Sequence, residues 1–477
     1  MKKSNSIMGG LVWKFGERLL SQGISFIISL VLARVLMPED YGMVSLVLVF
    51  TNLAAVFINS GFGTALVQKK DADATDFSTM YFCSQGISIV LYLVIFLAAP
   101  WVAVFYKEPE LTAVLRVFAL QIPLGAYNAI QNAYVSRNML FHKLFLASVL
   151  STAVSGAVGI FLALAGAGVW ALVAQSIGVV LTNTLVLAVT LPWHPQWKFS
   201  KAAAKPLMRY GSRILMADLS GTFFGELRGL IIGRVYTTAD LAFYSKGQQL
   251  PNLLTSNLST TVMTVIFPAM SDRSDDLQQV KAFAKQSMQI LAFVIFPVMF
   301  GLAAVMEPLI HFLYTEKWGP CVPYAQCLSV GLAVGVFGII PLQTIKAIGR
   351  SDVILKLEFL KKPVYILLLL VGVNINVLAI AVTMMLYDIY GTFVNMYQMK
   401  KYIGYGLWEQ MRDVFSSLAL SLVMAVAVYA IDGIGTLALT LAIKVASGVI
   451  IYVLGAIVFR LAPYRYLKNL ILNRKQK

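Results

Sequence analysis

The chain has 477 residues, 59% of them hydrophobic and only 13% charged, with a mean hydropathy of +0.77. Soluble domains carry about 45–50% apolar residues, so this composition excludes an ordinary globular protein and describes a polytopic membrane protein. A formal charge of +16 would suit nucleic acid, but the basic residues sit in the connections between apolar runs, which excludes that partner.

In chain order, the opening "MKKSNSIMGGLVW" has the basic start of a signal peptide. Its apolar run continues past about 20 residues and contains Lys14, Glu17 and Arg18, which argues against cleavage. The expected fold is all-α, with spans at about 10–35, 42–65, 77–103, 111–134, 141–164, 168–192, 206–234, 241–268, 283–305, 322–344, 352–372, 374–398, 408–430 and 435–460. Connections are short, so no separate soluble domain is expected.

The eighth span is polar. "YSKGQQLPNLLTSNLSTTVM" fails any hydropathy window, yet omitting it would reverse every later connection. The charges retain it: Lys69 and Lys70, Arg137 and Lys143, Lys198 to Lys205, Arg273 to Lys285, Lys346 to Lys362, and Lys400 to Arg412 fall in every second connection. With both tails they place about 26 of the 38 basic residues on one side, against about four on the other, Arg34, Lys107, Arg234 and Lys317. Both termini are therefore expected in the cytoplasm. These loop charges read first as topology signals and phospholipid contacts. Cys83, Cys321 and Cys327 form neither a disulfide framework nor a metal spacing, and the three histidines are scattered.

The chain repeats itself. "KFGERLL" at 14–20 resembles "RYGSRIL" at 209–215, and "RVLMPEDYG" from Arg34 resembles "RVYTTADLA" from Arg234, with Asp40 and Asp240 at matching positions. A repeat of six spans preserves insertion orientation, so the copies are related by an axis along the membrane normal. The expected domains are a six-helix lobe at 1–200, a second at 201–402, and two added helices with a basic tail at 403–477. Parallel-repeat transporters bind between lobes and open to each side in turn.

Span 7 is the most charged. It carries Arg209, Arg213, Asp218, Glu226 and Arg228, and each ionised group at a span centre costs roughly 2.5–3.5 kcal/mol on insertion scales. On a helical wheel the three arginines share one face, as do Lys14 and Arg18 of span 1. Two related helices are thus expected to present cations to a common cleft, although Lys14 and Arg209 are also placed to snorkel to headgroups. Arg116 in span 4 and Lys444 in span 14 are further candidates without a repeat partner. Asp218, Glu226 and Asp388 either neutralise these arginines or bind a coupling ion.

The segment "NAYVSRNMLFHKLFLASVLSTAVSGAVGIFLALAGAGVWALVAQ", with Arg137, Phe141 and "GAGVWALVAQ", resembles bacterial polysaccharide transporters, as does "LVLARVLMPEDYGMVS" after span 1. These are the Wzx-type flippases of the multidrug/oligosaccharidyl-lipid/polysaccharide superfamily, and the similarity runs from about residue 8 to 460. It implies a flippase that moves an undecaprenyl-diphosphate-linked oligosaccharide out of the cytoplasmic leaflet of the bacterial inner membrane, for a surface polysaccharide. Lys14, Arg18, Arg116, Arg209, Arg213 and Arg228 would then hold phosphate, since arginine pairs with phosphate oxygens through two parallel hydrogen bonds. Gln248, Gln249, Asn252 and Asn257 of span 8 offer amides to sugar hydroxyls. The implied partners are the lipid-linked oligosaccharide, membrane lipids and the polysaccharide polymerase and assembly proteins, with the transporter monomeric. No cofactor is implied beyond coupling to a proton or sodium gradient or to membrane potential.

Two rivals differ in chemistry. A multidrug antiporter of the same superfamily takes organic cations, which favour an acidic and aromatic cavity over one rich in arginine. A membrane-embedded polymerase or ligase needs an extramembrane loop with catalytic carboxylates or histidines. The longest connection is about 20 residues, and no Walker A pattern is present.

Overall fold

The computed structural model describes residues 2–59, 62–69, 71–431 and 435–466; within some helices it leaves side chains undescribed, Arg209 and Arg213 among them. Among the described residues there is no strand. The chain forms two compact units, Met1–Ala242 and Phe243–Lys477.

The first unit holds α1 (Lys2–Val35), α2 (Pro38–Asn59), α3 (Phe62–Gln68), α4 (Ala74–Tyr106), α5 (Leu111–Phe118), α6 (Gln121–Arg137), α7 (Phe141–Leu164), α8 (Val169–Thr190) and α9 (Lys201–Val235). Helix α1 lies along α7, which pairs with α8, while α4 packs on α6 and α9 packs on α2, α3 and α4. The helix at which the repeat begins again therefore clusters with the first unit. Glycine sets these distances, as is usual where apolar helices meet in lipid. A Cβ on Gly156 would lie 2.0 Å from Ile28 of α1, and one on Gly233 would lie 2.3 Å from Leu46 of α2.

Both copies of the Arg-to-Asp motif build the same device. Each closes one long helix and opens the next: α1 ends at Val35 and α2 starts at Pro38, while α9 ends at Val235 and α10 (Thr238–Ser271) follows. The aspartate in the first turn of the second helix reaches back, so the Met37 amide donates to Asp40 Oδ2 at 3.0 Å and the Thr237 amide to Asp240 Oδ2 at 3.2 Å. Thr237 completes a capping box, its Oγ1 accepting from the Asp240 amide at 3.1 Å. The two turns touch, since a Cβ on Gly42 would lie 1.9 Å from the Thr238 carbonyl oxygen.

The second unit continues along α10 and adds α11 (Leu277–Ala304), α12 (Met306–Tyr314), a 3₁₀ turn (Glu316–Cys321), α13 (Val322–Gly335), a second 3₁₀ turn (Val336–Gly338), α14 (Ile339–Ala347), α15 (Ser351–Val373), α16 (Val377–Ile403), α17 (Leu407–Tyr429) and α18 (Leu437–Val458). Its core runs through Met288, Ile295, Phe296 and Met299 of α11, with Phe337 stacked on Phe296 at 4.8 Å. Helix α11 is started by Asp276, whose carboxylate accepts from the Gln278 and Gln279 amides and is held by them below the ordinary aspartate range. Nearby, Lys281 pairs with Glu409 at 2.8 Å and Lys285 with Asp413 at 3.1 Å, clasping α11 to α17. The Tyr405 hydroxyl donates to Asp413 at 2.7 Å, and burial together with that carboxylate pushes the phenol well above its usual range.

Fourteen helical segments thus stand where the apolar runs predict spans. Among the described residues eleven are long and apolar enough to cross a membrane; α9 and α15 are long but too rich in charged residues to qualify on composition, and α10 is long and polar in its first half. The chain is a multi-pass membrane protein.

The fourth and tenth spans, expected to be continuous, are broken. The fourth parts at Ala119 and Leu120 between α5 and α6, and the tenth at Val336–Gly338 between α13 and α14. Just beyond each break stands the same sequence, Ile122-Pro123-Leu124 and Ile340-Pro341-Leu342, with an Ala-Ile pair at matching distance, Ala129-Ile130 and Ala347-Ile348. Proline removes an amide donor and its ring crowds the preceding turn, so the helix cannot run through it undisturbed. Freed carbonyls need partners in lipid. In the second unit α16 supplies them, Thr392 Oγ1 donating to Val334 O and Asn395 Nδ2 to Gly338 O, both at 3.2 Å.

Candidate functional site

In the first unit the charged stretch of α9 follows a stripe of four glycines, Gly221, Gly225, Gly229 and Gly233, one per turn. Its two ends differ. Gly233 and Gly229 pack on Leu46 and Val49 of α2, whereas a Cβ on Gly221 or Gly225 would meet nothing within 4 Å. Helices α2 and α9 are therefore in van der Waals contact beside Gly229 and Gly233, and α9 has open space beside Gly221 and Gly225. Asn52 stands where contact ends, its Nδ2 donating to Glu226 Oε1 at 2.9 Å. Asp218 is exposed beyond it, and Arg228 is half-buried. This arrangement puts acidic, basic and amide groups along one open stretch inside a long helix.

On α1, Lys14 pairs with Glu17 at 2.8 Å, so its charge is locally matched. Arg18 is half-buried, and no carboxylate of the described residues pairs with it. Arg209 and Arg213 lie on the first half of α9, with side chains outside the described residues. Arg116 is engaged: Nε donates to the Phe96 carbonyl at 3.1 Å and the guanidinium lies 4.3 Å from the Phe96 ring centroid, bracing α5 on α4.

Gln248, Asn252 and Asp388 belong to the second unit. Gln248 is half-buried and Asn252 exposed on α10. Asp388 of α16 packs on α13, where a Cβ on Gly331 would stand 3.2 Å from its Oδ2. The site residues expected together are thus found in two groups, six of described side chain (Lys14, Arg18, Arg116, Asp218, Glu226, Arg228) in the first unit and three in the second.

Buried lysines were not fully anticipated from sequence. Lys246 of α10 is only 5% exposed, its ammonium 4.5 Å from the Tyr314 centroid and 5.5 Å from that of Trp318. Aromatic faces attract a desolvated cation. Lys444, 3% exposed, lines a cavity of about 410 Å³ with Glu307, His311, Tyr429 and Thr440. A lysine inside a polar span, as in "YSKGQQ", was the available signal for Lys246.

A family model described as polysaccharide biosynthesis protein matches residues 31–323. The chain belongs to the polysaccharide biosynthesis protein family. Within that family's reach, it is 24% identical over 344 residues to the succinoglycan biosynthesis transport protein ExoT of Rhizobium meliloti, covering 72% of this chain and 69% of ExoT. It is 22% identical over 440 residues to the lipopolysaccharide biosynthesis protein WzxC of Escherichia coli, covering 90% and 88%. Among solved structures it resembles the lipid II flippase MurJ in an inward closed conformation, with a TM-score of 0.76, 15% identity, and coverage of 96% of this chain and 99% of that one. An inward-facing multidrug resistance transporter of the MATE family matches with a TM-score of 0.60 and 16% identity. This polysaccharide biosynthesis protein therefore has the MurJ- and MATE-like transporter fold.

Proposed function

We propose that this protein is a flippase, not an enzyme, that carries undecaprenyl-diphosphate-linked oligosaccharide repeat units from the cytoplasmic to the outer leaflet of a bacterial inner membrane by alternating access. Membership of the polysaccharide biosynthesis family supports the substrate class, and the fold supports transport. The observation that carries the choice is the stretch of α9 that holds Asp218, Glu226 and Arg228, where a Cβ on Gly221 or Gly225 would meet nothing within 4 Å and α2 reaches Glu226 only through Asn52. Charge is retained there at an insertion cost of roughly 2.5–3.5 kcal/mol per group. A pyrophosphate-linked sugar is a ligand that uses it: arginine forks take the phosphate oxygens, and carboxylate and amide groups accept and donate to hydroxyls.

In this reading Arg18, Arg209, Arg213 and Arg228 bind the diphosphate, with Lys14 near the entrance. Arg116 contributes through the position of α5. Gln248 and Asn252 take sugar hydroxyls, and Asp218, Glu226 or Asp388 binds the coupling proton or sodium ion. The termini are cytoplasmic, the transporter works as a monomer, and polymerase and assembly proteins take up the product.

Depleting the protein in its host tests this. Mass spectrometry of extracted lipids should then show polyprenyl-diphosphate-linked repeat units accumulating, and sugar-binding probes should find them confined to the inner leaflet. Accumulation of a shorter sugar on the same lipid would instead mark a glycosyltransferase, and an unchanged lipid pool would remove the proposal.

A further inference from the structure

Helices α2, α4 and α9 of the first unit enclose a crevice of about 600 Å³. Its walls are apolar and aromatic: Phe50 from α2, Trp101 and Phe105 from α4, and Leu230 and Ile231 from α9. Tyr106 ties the crevice together, its hydroxyl donating to the Leu230 carbonyl at 3.3 Å and its ring meeting Phe50 edge-on at 6.4 Å. Trp101 is 74% exposed, so the crevice is open at the surface of the first unit.

One cation stands in it. Arg234 also lines the crevice, in the last turn of α9, with its guanidinium 4.7 Å from the Phe105 ring centroid. Among the described residues no carboxylate pairs with it. It is also one of about four basic residues in the connections expected outside, in a chain whose basic residues gather in the others, so the basic-inside pattern gives no reason for its presence.

We infer that this crevice is a binding site for one anionic phospholipid of the outer leaflet. One acyl chain lies between Phe50, Trp101 and Ile231, and the phosphodiester sits on the Arg234 fork. Charge decides the occupant. A phosphodiester carries one negative charge and matches one guanidinium through two parallel hydrogen bonds, whereas a polyprenyl diphosphate would leave charge unmatched beside an aromatic wall. The ring of Phe105 holds the guanidinium plane through its face and so orients the fork before lipid arrives. A volume of about 600 Å³ lies within the range of sites that enclose a chain-sized ligand. A tryptophan and an arginine near helix ends place the headgroup at interface depth. The site is separate from the opened stretch of α9, and its occupation does not depend on what the protein transports.

Native mass spectrometry tests the inference on the full-length protein, delipidated in detergent and then given phosphatidylglycerol, phosphatidylethanolamine or undecaprenyl phosphate. Phosphatidylglycerol should be retained as one molecule per chain in preference to the other two. Arg234→Ala should weaken retention about tenfold or more, the loss expected for a hydrogen-bonded charge pair, and Arg234→Lys should recover part of it. Ala98→Phe, which fills the crevice and keeps the arginine, should lose the lipid as well. Thermal melting in detergent reports whether each variant is folded, and Ala98→Phe and Arg234→Ala reach the same site by different routes. Equal retention of all three lipids, tighter retention of undecaprenyl phosphate, or a folded Ala98→Phe or Arg234→Ala variant that keeps phosphatidylglycerol like the parent would overturn the site. Lipid export is not part of the readout, so a flippase without this site and a site on a protein that is not a flippase are told apart.

Discussion

Arg18 and Arg213 occupy matching places in the repeated stretches "KFGERLL" and "RYGSRIL", each one turn on from another cation, Lys14 and Arg209. Arg18→Ala and Arg213→Ala should abolish export while insertion and melting temperature stay at the parent's, with lysine restoring only part because it keeps charge and loses the planar fork. Export at the parental rate in both alanine variants would make these arginines headgroup anchors. Asp218 is exposed near the middle of α9 and is the carboxylate expected to take up an ion. Asp218→Asn proteoliposomes should keep substrate binding and lose the response to a pH or sodium gradient; an unaltered response to both gradients would leave Asp218 a counter-ion. The sequence showed which residues were expensive, because cost follows from charge and hydropathy. It did not show their partners: that Arg116 spends its guanidinium on Phe96, or that Tyr314 and Trp318 wrap Lys246, depends on contacts between segments far apart in the chain.

At the scale of the element, glycine positions carry different weight along one helix pair. A methyl on Gly42 would stand 1.9 Å from a backbone carbonyl, which cannot move aside as a side chain can, whereas a methyl on Gly221 meets nothing within 4 Å. Gly42→Ala should therefore destabilise by about 1–3 kcal/mol, the usual cost of overpacking. Gly221→Ala should be neutral or stabilising by up to about 1 kcal/mol, because alanine is the better helix former. Thermal unfolding in detergent separates the two, and equal melting points would mean that the two repeated turns do not bear on one another. The turns themselves were legible, since Arg34 to Asp40 and Arg234 to Asp240 share both spacing and residue type. The breaks in the fourth and tenth spans were not read, although Ile-Pro-Leu stands after both. Hydropathy averages over a window and passes across a proline, while the break is fixed by the loss of one amide and by acceptors found on another helix, Thr392 and Asn395.

For the whole molecule, the alternation of basic connections predicts which ends face the cytoplasm, and one position tests it. With Cys83, Cys321 and Cys327 replaced, a cysteine at Ser274, in the connection between α10 and α11, should resist an impermeant thiol reagent added from outside. Strong labelling there would remove α10 as a span and reverse everything after it. That orientation also sets the energetics. For the proposed substrate, an anionic diphosphate carried outward would move towards the positive side, and since potential is worth about 2.3 kcal/mol per charge per 100 mV, two charges crossing fully would gain about 5 kcal/mol without any nucleotide. Helical class was readable from composition because a bilayer fixes length and apolarity, while the polar eighth span was readable only from the alternation of charged connections.

Two of the fourteen helices, α9 and α15, are too rich in charge to partition into lipid by themselves, and this bears on how the protein is made. A nascent α9 bearing Arg209, Arg213, Asp218, Glu226 and Arg228 would be rejected by a translocon that judged each segment alone. An α2 already in place offers it a partner, Leu46 and Val49 packing on Gly233 and Gly229 and Asn52 donating to Glu226. Helix α10 follows after the turn that Thr237 and Asp240 close. Insertion of α9 should therefore depend on α2, and a ribosome-bound chain lacking α2, probed by glycosylation or protease protection, should leave α9 outside the membrane.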